Sequence, residues 1–96
     1  MEHFNILKRI NETYQKNIEQ IGKELSYIGI NVRKNKNEYK LLPEVIKEIS
    51  TQWDELSMED NKIHKEWICR TIAGIRDKNY LIVLIDNLHK GNNLMW

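Results

Sequence analysis

The first quarter of the chain carries apolar side chains at alternating steps of three and four residues. This spacing places them on one face of an α-helix in a heptad pattern, which is typical of helices that pair along a seam. The pattern predicts one amphipathic helix over residues 3–28, about 39 Å long, which Gly29 ends in a left-handed cap. The seam positions are Phe4, Leu7, Asn11, Tyr14, Ile18, Ile21, Leu25 and Ile28, with Asn11 as the polar member.

The period changes to two after Gly29. Residues 30–33 alternate apolar and polar, residues 34–37 are turn-like, and residues 38–41 return as a second strand, which predicts a short β-hairpin. Two strands alone are marginally stable in water. We therefore expect one side of the hairpin to rest on helices through Ile30, Val32 and Tyr39.

Three further helices are predicted in the rest of the chain. Pro43 suits the first turn of the first helix, which ends near Asp54. A capping box at residues 57–60 begins the second, and the third covers residues 77–89. Before that third helix, Gly74 either lets another element approach closely or breaks the helix. The inward faces are largely apolar: Val45, Ile46, Ile49 and Trp53 in the first helix; Ile63, Trp67, Ile68, Thr71 and Ile72 in the second; and Leu81, Ile82, Leu84, Ile85 and Leu88 in the third.

These elements predict a mostly α fold with a long N-terminal helix, a short β-hairpin and three helices packed as a compact bundle. We expect two parts, the heptad-like helix over residues 1–28 and the compact hairpin and three-helix module over residues 29–96. The 96 residues are about the length of one domain. No apolar run approaches the roughly 20 residues that cross a bilayer, so no membrane partner is expected.

Charge is nearly balanced along this chain. Lysine and arginine total 15 against 14 aspartate and glutamate, a formal net charge of +1. A dedicated nucleic-acid binder usually carries a basic excess, so nucleic acid is not the expected partner. One basic cluster, Arg33, Lys34, Lys36 and Lys40, falls on the hairpin. We favour a strand edge that lysines protect from unwanted pairing. The alternative is a small nucleic-acid-binding or regulatory protein that uses the basic hairpin over residues 33–40.

The side chains that usually carry catalysis or bind metals form no recognisable constellation. The single cysteine, Cys69, excludes an internal disulfide and a multi-cysteine zinc site. Its apolar neighbours indicate packing, and a lone cysteine fits synthesis in a reducing cytosol. His3, His64 and His89 have no second ligand at i+3 or i+4. The sequence thus predicts no catalytic residue, metal, cofactor or small-molecule substrate, so an enzyme ranks last. An antitoxin-like partner protein, the other member of this third class, would need a neighbouring toxin gene.

The heptad seam suggests an interaction face. A polar residue in a core column, here Asn11, sets the register and oligomeric state of paired helices. Either the helix projects and pairs with another chain, or it bends back over the C-terminal helices. In the first case the predicted self-association face comprises Leu7, Asn11, Tyr14, Ile18, Ile21 and Leu25.

An ordered series of motifs lies between Gly29 and Leu84. The series is Gly29-Ile30, Val32-Arg33, a polar turn, Tyr39, a helix leading into Trp53-Asp54-Glu55-Leu56-Ser57, a further helix, Ile72-Ala73-Gly74-Ile75-Arg76 and Leu81-Ile82-Val83-Leu84. The Trp-Asp-x-Leu-Ser step followed by Ala-Gly-x-Arg is fairly specific when the two occur together. This stretch, a little over half of the chain, resembles a segment of phage tail tape measure proteins, also called phage-related minor tail proteins.

The resemblance implies a structural role in the virion tail, after synthesis in the bacterial host cytoplasm. Tape measure proteins are long helical chains that occupy the tail tube lumen, template its polymerisation and set its length. The implied partners are further copies of the chain and other tail proteins, namely the tube protein and assembly chaperones. The resemblance implies packing and helix-junction roles for Gly29, Arg33, Trp53 as core anchor, Asp54, Gly74 as a close-approach site, and Arg76 as partner of a helix C-terminus or a carboxylate.

Overall fold

The N-terminal segment folds into two helices followed by a tight turn. The computed structural model describes residues 2–57 and 61–91, and the predicted capping box at residues 57–60 lies largely outside them. The elements of this segment are α1 (Glu2–Lys16), α2 (Ile18–Leu25) and a 3-10 turn (Ser26–Ile28). Gly29 ends the segment in the left-handed conformation, with φ +78°, as predicted.

Asn17 interrupts the helix that was predicted to run without a break over residues 3–28. Its backbone has φ −114° and ψ 26°. Its backbone N–H and its side-chain amide both donate to the Thr13 carbonyl, at 3.0 and 3.2 Å. Asparagine favours helix ends and turns because its side chain competes for backbone partners in this way. The single helix is therefore corrected to two shorter ones, α1 and α2.

The hairpin is shorter than predicted but rests on the helices as expected. Strand β1 spans Arg33–Asn35 and strand β2 spans Glu38–Tyr39, and they pair antiparallel with an irregularity in β1. Ile30 and Val32 precede β1 and are 2% and 4% exposed, and Tyr39 packs against the core. Buried side chains on one side therefore anchor a ribbon that could not persist alone.

The C-terminal half contains α3, Leu42–Thr51, and α4, Asn61–His89. Pro43 lies in the first turn of α3, where its missing N–H costs nothing. Gly74 interrupts α4 with φ +86° and ψ 166°, a conformation open essentially to glycine alone.

The interruption at Gly74 divides α4 into a first arm, residues 61–73, and a second arm, residues 75–89. These arms correspond to the second and third helices predicted for the C-terminal half. Of the two predictions made for Gly74, the helix break is confirmed. Within the part of the chain that the structure describes, no atom beyond the adjoining helix residues lies within 4 Å of a Cβ built at this glycine. The close approach implied by the family resemblance is therefore wrong.

One hydrophobic core joins all four helices. Helices α1, α2 and α3 each pack against α4, and the α-helical class with a small hairpin is confirmed. The chain measures 34 × 33 × 24 Å with a radius of gyration of 12.5 Å, roughly the value for a compact domain of this length. The N-terminal helices therefore bend back over the C-terminal ones, and residues on both sides of the boundary predicted at residue 28 share the core. Its buried members include Ile10, Tyr14, Ile21, Leu25, Val45, Ile46, Ile49, Trp53, Ile68, Ile72, Leu81, Leu84 and Ile85.

Two polar contacts tie α1 to distant parts of the chain. Arg9 donates from Nε and Nη2 to Oδ2 and Oδ1 of Asp77 at 3.0 and 2.7 Å, which joins α1 to the second arm of α4. These hydrogen bonds from Arg9 hold the pKa of Asp77 below its ordinary value of 3.8, against the opposing effect of burial. The Tyr14 hydroxyl donates to the Lys40 carbonyl at 2.6 Å. Burial raises the pKa of Tyr14 to about 12, so the phenol stays a neutral donor.

Gly22 fixes the distance between α2 and the segment leading into the hairpin. A Cβ built at this position would lie 2.7 Å from Val32 Cγ2, closer than two carbon atoms can approach. A glycine inside a helix costs about 1 kcal/mol relative to alanine. The close approach to Val32 explains why the chain carries glycine here.

Candidate functional site

The predicted self-association face is divided between the core and the surface. Three members, Tyr14, Ile21 and Leu25, are at most 1% exposed and belong to the chain's own core. The side chains of Leu7 and Ile18 pack against that core and are only partly buried. The remaining member, Asn11, is half-buried. The seam pattern therefore serves packing within the chain at three of its six positions, which are unavailable to a second chain in this fold.

The inward face of α1 also contains a residue that the heptad pattern missed. Ile10 lies off the predicted seam and is completely buried. Ile6, Ile10 and Tyr14 follow steps of four, closer to the 3.6-residue period of a helix packed within a domain than to a 3.5-residue seam. Partial burial of Ile6 agrees with this face, so a period of 3.6 was the signal that could have identified it.

The exposed part of the predicted face borders an apolar groove. This groove has a volume of about 390 Å³ and lies between α1 and the start of α3. Leu41 stands at its rim with 63% of its surface exposed. We call it the Leu41 groove; it is lined by Leu7, Lys8, Asn11, Gln15, Leu41, Leu42 and Pro43.

The Trp53-Asp54 step attaches the end of α3 to the last turns of α4. Trp53 is 1% exposed, and its Nε1 donates to Asp86 Oδ1 at 3.3 Å. Asp54 is largely exposed, with Oδ1 3.0 Å from Nε2 of His89. The other ring nitrogen of His89 lies 2.8 Å from the Ser50 carbonyl. Through these two contacts the His89 ring joins the end of α3 to the end of α4. Trp53 is thus the core anchor that the resemblance implied.

The two motif arginines differ in their surroundings. Arg33 donates to the Tyr39 hydroxyl at 3.0 Å and the Lys36 carbonyl at 3.3 Å, so its guanidinium holds the hairpin turn. Arg76 is exposed, although its charge contributes to the lowered pKa of Asp77. The carboxylate pairing implied for Arg76 is made instead by Arg9.

Ion pairs within the chain occupy part of the hairpin's basic cluster. Lys40 Nζ lies 2.8 Å from Glu48 Oε2, and Lys34 Nζ lies 3.8 Å from Glu44 Oε1; both acids belong to α3. The Asn31 side chain accepts the Arg33 backbone N–H at 2.8 Å, which occupies a donor of β1. These contacts favour the protected-edge interpretation of the hairpin over a nucleic-acid-binding ribbon.

An exposed aromatic pair lies where α2 ends and the first arm of α4 passes. Tyr27 is 77% exposed and Trp67 is 37% exposed, with ring centroids 6.3 Å apart and ring planes at 42°. Trp67 was predicted to face inward, and that prediction is wrong. A groove of about 430 Å³ runs beside Trp67. We call Tyr27 and this groove the Tyr27–Trp67 patch; the groove is lined by His64, Glu66, Trp67, Arg70 and Lys78.

The cysteine of the chain lies in the hydrophobic core. Cys69 is completely buried, and burial raises the pKa of its thiol to about 12, so the side chain acts in packing, as predicted. Within residues 2–57 and 61–91, metal-binding side chains do not gather in groups of three. None of the helices described combines the length and apolar composition that a membrane span requires.

Comparison with protein families, with curated proteins and with solved structures finds no match for this chain.

Proposed function

We propose that the chain is a structural module of a phage or prophage tail tape measure protein, also termed a minor tail protein. It acts in tail assembly and length determination through helix packing and self-association. The observation that supports this proposal most is the position of three motif residues, Gly29, Trp53 and Gly74, at the joints of the fold. Gly29 ends α2 and its turn, Trp53 fixes the end of α3 to α4, and Gly74 divides α4.

Motif residues that fix the junctions between helices are expected in a structural module. Positive φ at Gly29 and Gly74 restricts those positions largely to glycine. A large, fully buried aromatic such as Trp53 contributes strongly to stability. These residues act through the fold, as in a protein whose role is to pack and assemble.

The Leu41 groove is the surface that we assign to self-association. It combines two half-buried members of the predicted face, Leu7 and Asn11, with the exposed side chain of Leu41. Apolar side chains that surround a groove gain free energy when a partner removes them from water. The surface proposed for self-association is therefore the Leu41 groove, because Tyr14, Ile21 and Leu25 are buried in the core.

Light scattering on the purified chain tests self-association. Leu41→Asp places a charge in the groove, and we expect it to convert oligomers to monomers. Val83→Asp is the matched control, because Val83 is 59% exposed on the second arm of α4, away from the groove, and should leave the oligomers unchanged. A wild-type chain that stays monomeric at millimolar concentration would contradict self-association.

Tail morphology tests the biological role. In the phage or prophage that encodes the chain, Trp53→Ala should give absent tails or tails of abnormal length on electron micrographs, because the module loses its core anchor. Val83→Ala, at an exposed position, should give normal tails. Tails of normal number and length in a strain that lacks the whole coding region would disprove the role in tail assembly.

A further inference from the structure

We propose that the Tyr27–Trp67 patch binds single-stranded nucleic acid, with bases stacked on the two rings and phosphates paired with Arg70 and Lys78. This inference goes beyond the proposed tail role and does not depend on it. It also places the candidate nucleic-acid surface away from the basic hairpin.

The two rings provide a stacking platform. Tyr27 and Trp67 are 77% and 37% exposed, so water covers aromatic surface that a compact domain would otherwise bury. Their planes meet at 42° with 6.3 Å between centroids, too tilted for the rings to cover each other's faces. Bases of a single strand are free to stack on such faces, whatever their sequence.

Two cations stand beside the platform without partners among the described residues. Arg70 lies one turn after Trp67 on the first arm of α4, and Lys78 reaches the same groove from the second arm. In the hairpin, by contrast, Lys34 and Lys40 already pair with Glu44 and Glu48. Free cations can pair with phosphates without first breaking an ion pair.

The composition of the patch favours a nucleic acid over a protein partner. The cores of protein interfaces are depleted of lysine, yet Lys78 lies in the groove beside Trp67. The two cations of the groove, Arg70 and Lys78, outnumber its one carboxylate, Glu66. A duplex is disfavoured because its bases are stacked on each other and cannot reach the rings. Single strands offer both a free base face and a phosphate, the two groups that match rings and cations.

The small number of cations in the patch sets the expected dependence of binding on salt concentration. Only Arg70 and Lys78 neutralise phosphates in this arrangement. For two phosphate contacts on a single strand, log affinity should fall against log salt with a slope of about −1.4. Stacking, which depends little on salt, supplies the rest of the affinity.

Fluorescence anisotropy with a fluorescein-labelled 20-mer of dT tests the proposal on the full chain. We expect saturable binding at 50 mM salt, weaker binding of a 20-base-pair duplex, and weaker binding of labelled polyglutamate. Trp67→Ala should weaken dT binding roughly tenfold or more. Trp67→Phe keeps an aromatic face and should retain most of the affinity, which separates stacking from a folding defect. Circular dichroism verifies that each variant is folded.

A pair of charge variants locates the site. Arg70→Gln with Lys78→Gln should weaken binding by about tenfold and flatten the salt dependence. Lys34→Gln with Lys36→Gln removes the same charge from the hairpin and should change affinity by less than about twofold. The proposal is overturned by no binding at about 100 μM protein, by equal binding of polyglutamate, or by a hairpin variant that loses as much affinity as the patch variant.

Discussion

Trp53 and Trp67 have the same side chain, and both were predicted to lie on the inward faces of helices. Trp53 lies in the turn that follows α3, and Trp67 lies on the first arm of α4. The fold buries Trp53 to 1% exposure between α3 and α4, with its indole N–H on Asp86, and leaves Trp67 37% exposed beside Tyr27. The difference arises from what covers each face. Lys65 and Asp86 of the second arm of α4 contact the Trp53 ring. The neighbour of Trp67 is Tyr27, an exposed residue of the 3-10 turn after α2.

The contrast shows that helical spacing reports which side chains share a face, but not whether that face is covered. Coverage depends on long-range packing of α1 and α2 against α4, which no local pattern contains. A buried tryptophan then contributes to stability, and an exposed one is available to a ligand. Substitutions at the two positions separate these roles.

The largest expected effect on stability is that of Trp53→Ala. Loss of a fully buried aromatic leaves a cavity and should lower the free energy of unfolding by about 3–5 kcal/mol. Trp67→Ala should lower it by less, about 2 kcal/mol, since 37% of that residue is already in water. Urea unfolding followed by circular dichroism measures both values. Equal decreases in the free energy of unfolding would show that the difference in burial does not give the two tryptophans different roles in stability.

Asp77 extends the comparison from aromatic to charged side chains. Its carboxylate is buried and paired with Arg9, whereas Arg70 and Lys78 form no ion pair with any residue in the described ranges 2–57 and 61–91. Asp77→Asn should cost about 2 kcal/mol at pH 7. We expect less than the full cost of a buried pair because the Arg9 side chain is 36% exposed and water screens it. Arg70→Gln, at an exposed position, should cost almost nothing in the same urea titration.

The pH dependence of stability follows from the same pair. Because Arg9 lowers the pKa of Asp77 below 3.8, the stabilisation is present above that value and is lost as pH falls through the lowered pKa. Wild-type stability should therefore fall between about pH 5 and pH 2, and Asp77→Asn should show a smaller fall. Asp86, whose pKa Lys90 also lowers, contributes equally in both proteins. Identical pH profiles would exclude the pair as a source of acid sensitivity.

The smallest expected effect distinguishes the two tyrosines. Tyr14→Phe removes the hydrogen bond to the Lys40 carbonyl and should cost about 1 kcal/mol. Tyr27→Phe removes a hydroxyl from a side chain that is 77% exposed and should leave stability unchanged. Thermal unfolding measures the difference. A Tyr14→Phe variant as stable as the wild type would show that the hydrogen bond to Lys40 does not help to hold α1 in place.

Local patterns predicted much of this fold and less of its sites. Pro43, Gly29 and the apolar spacing of α3 and α4 have local physical causes, so those elements were predicted correctly. The break at Asn17 depends on a side-chain hydrogen bond that the apolar pattern does not register. The burial of Ile10 depends on α4 packing against α1, which is a long-range contact.

The candidate sites depended still more on tertiary structure. The heptad spacing correctly identified a packing face, but the partner of that face is the chain itself. The Tyr27–Trp67 patch joins residues from α4 and the turn after α2. No spacing rule relates Tyr27 to Trp67 along the sequence, because α2 and α4 meet only through tertiary packing.

The central claim is that the N-terminal helices belong to the same core as α4. Amide hydrogen exchange on the intact chain tests it most directly, because it reports the free energy of opening residue by residue. We predict that the amides of Ile10, Tyr14 and Ile21 exchange with the same free energy of opening as those of Ile72, Leu81 and Ile85. N-terminal amides that exchange through a much less costly opening, while those of α4 stay protected, would contradict the claim.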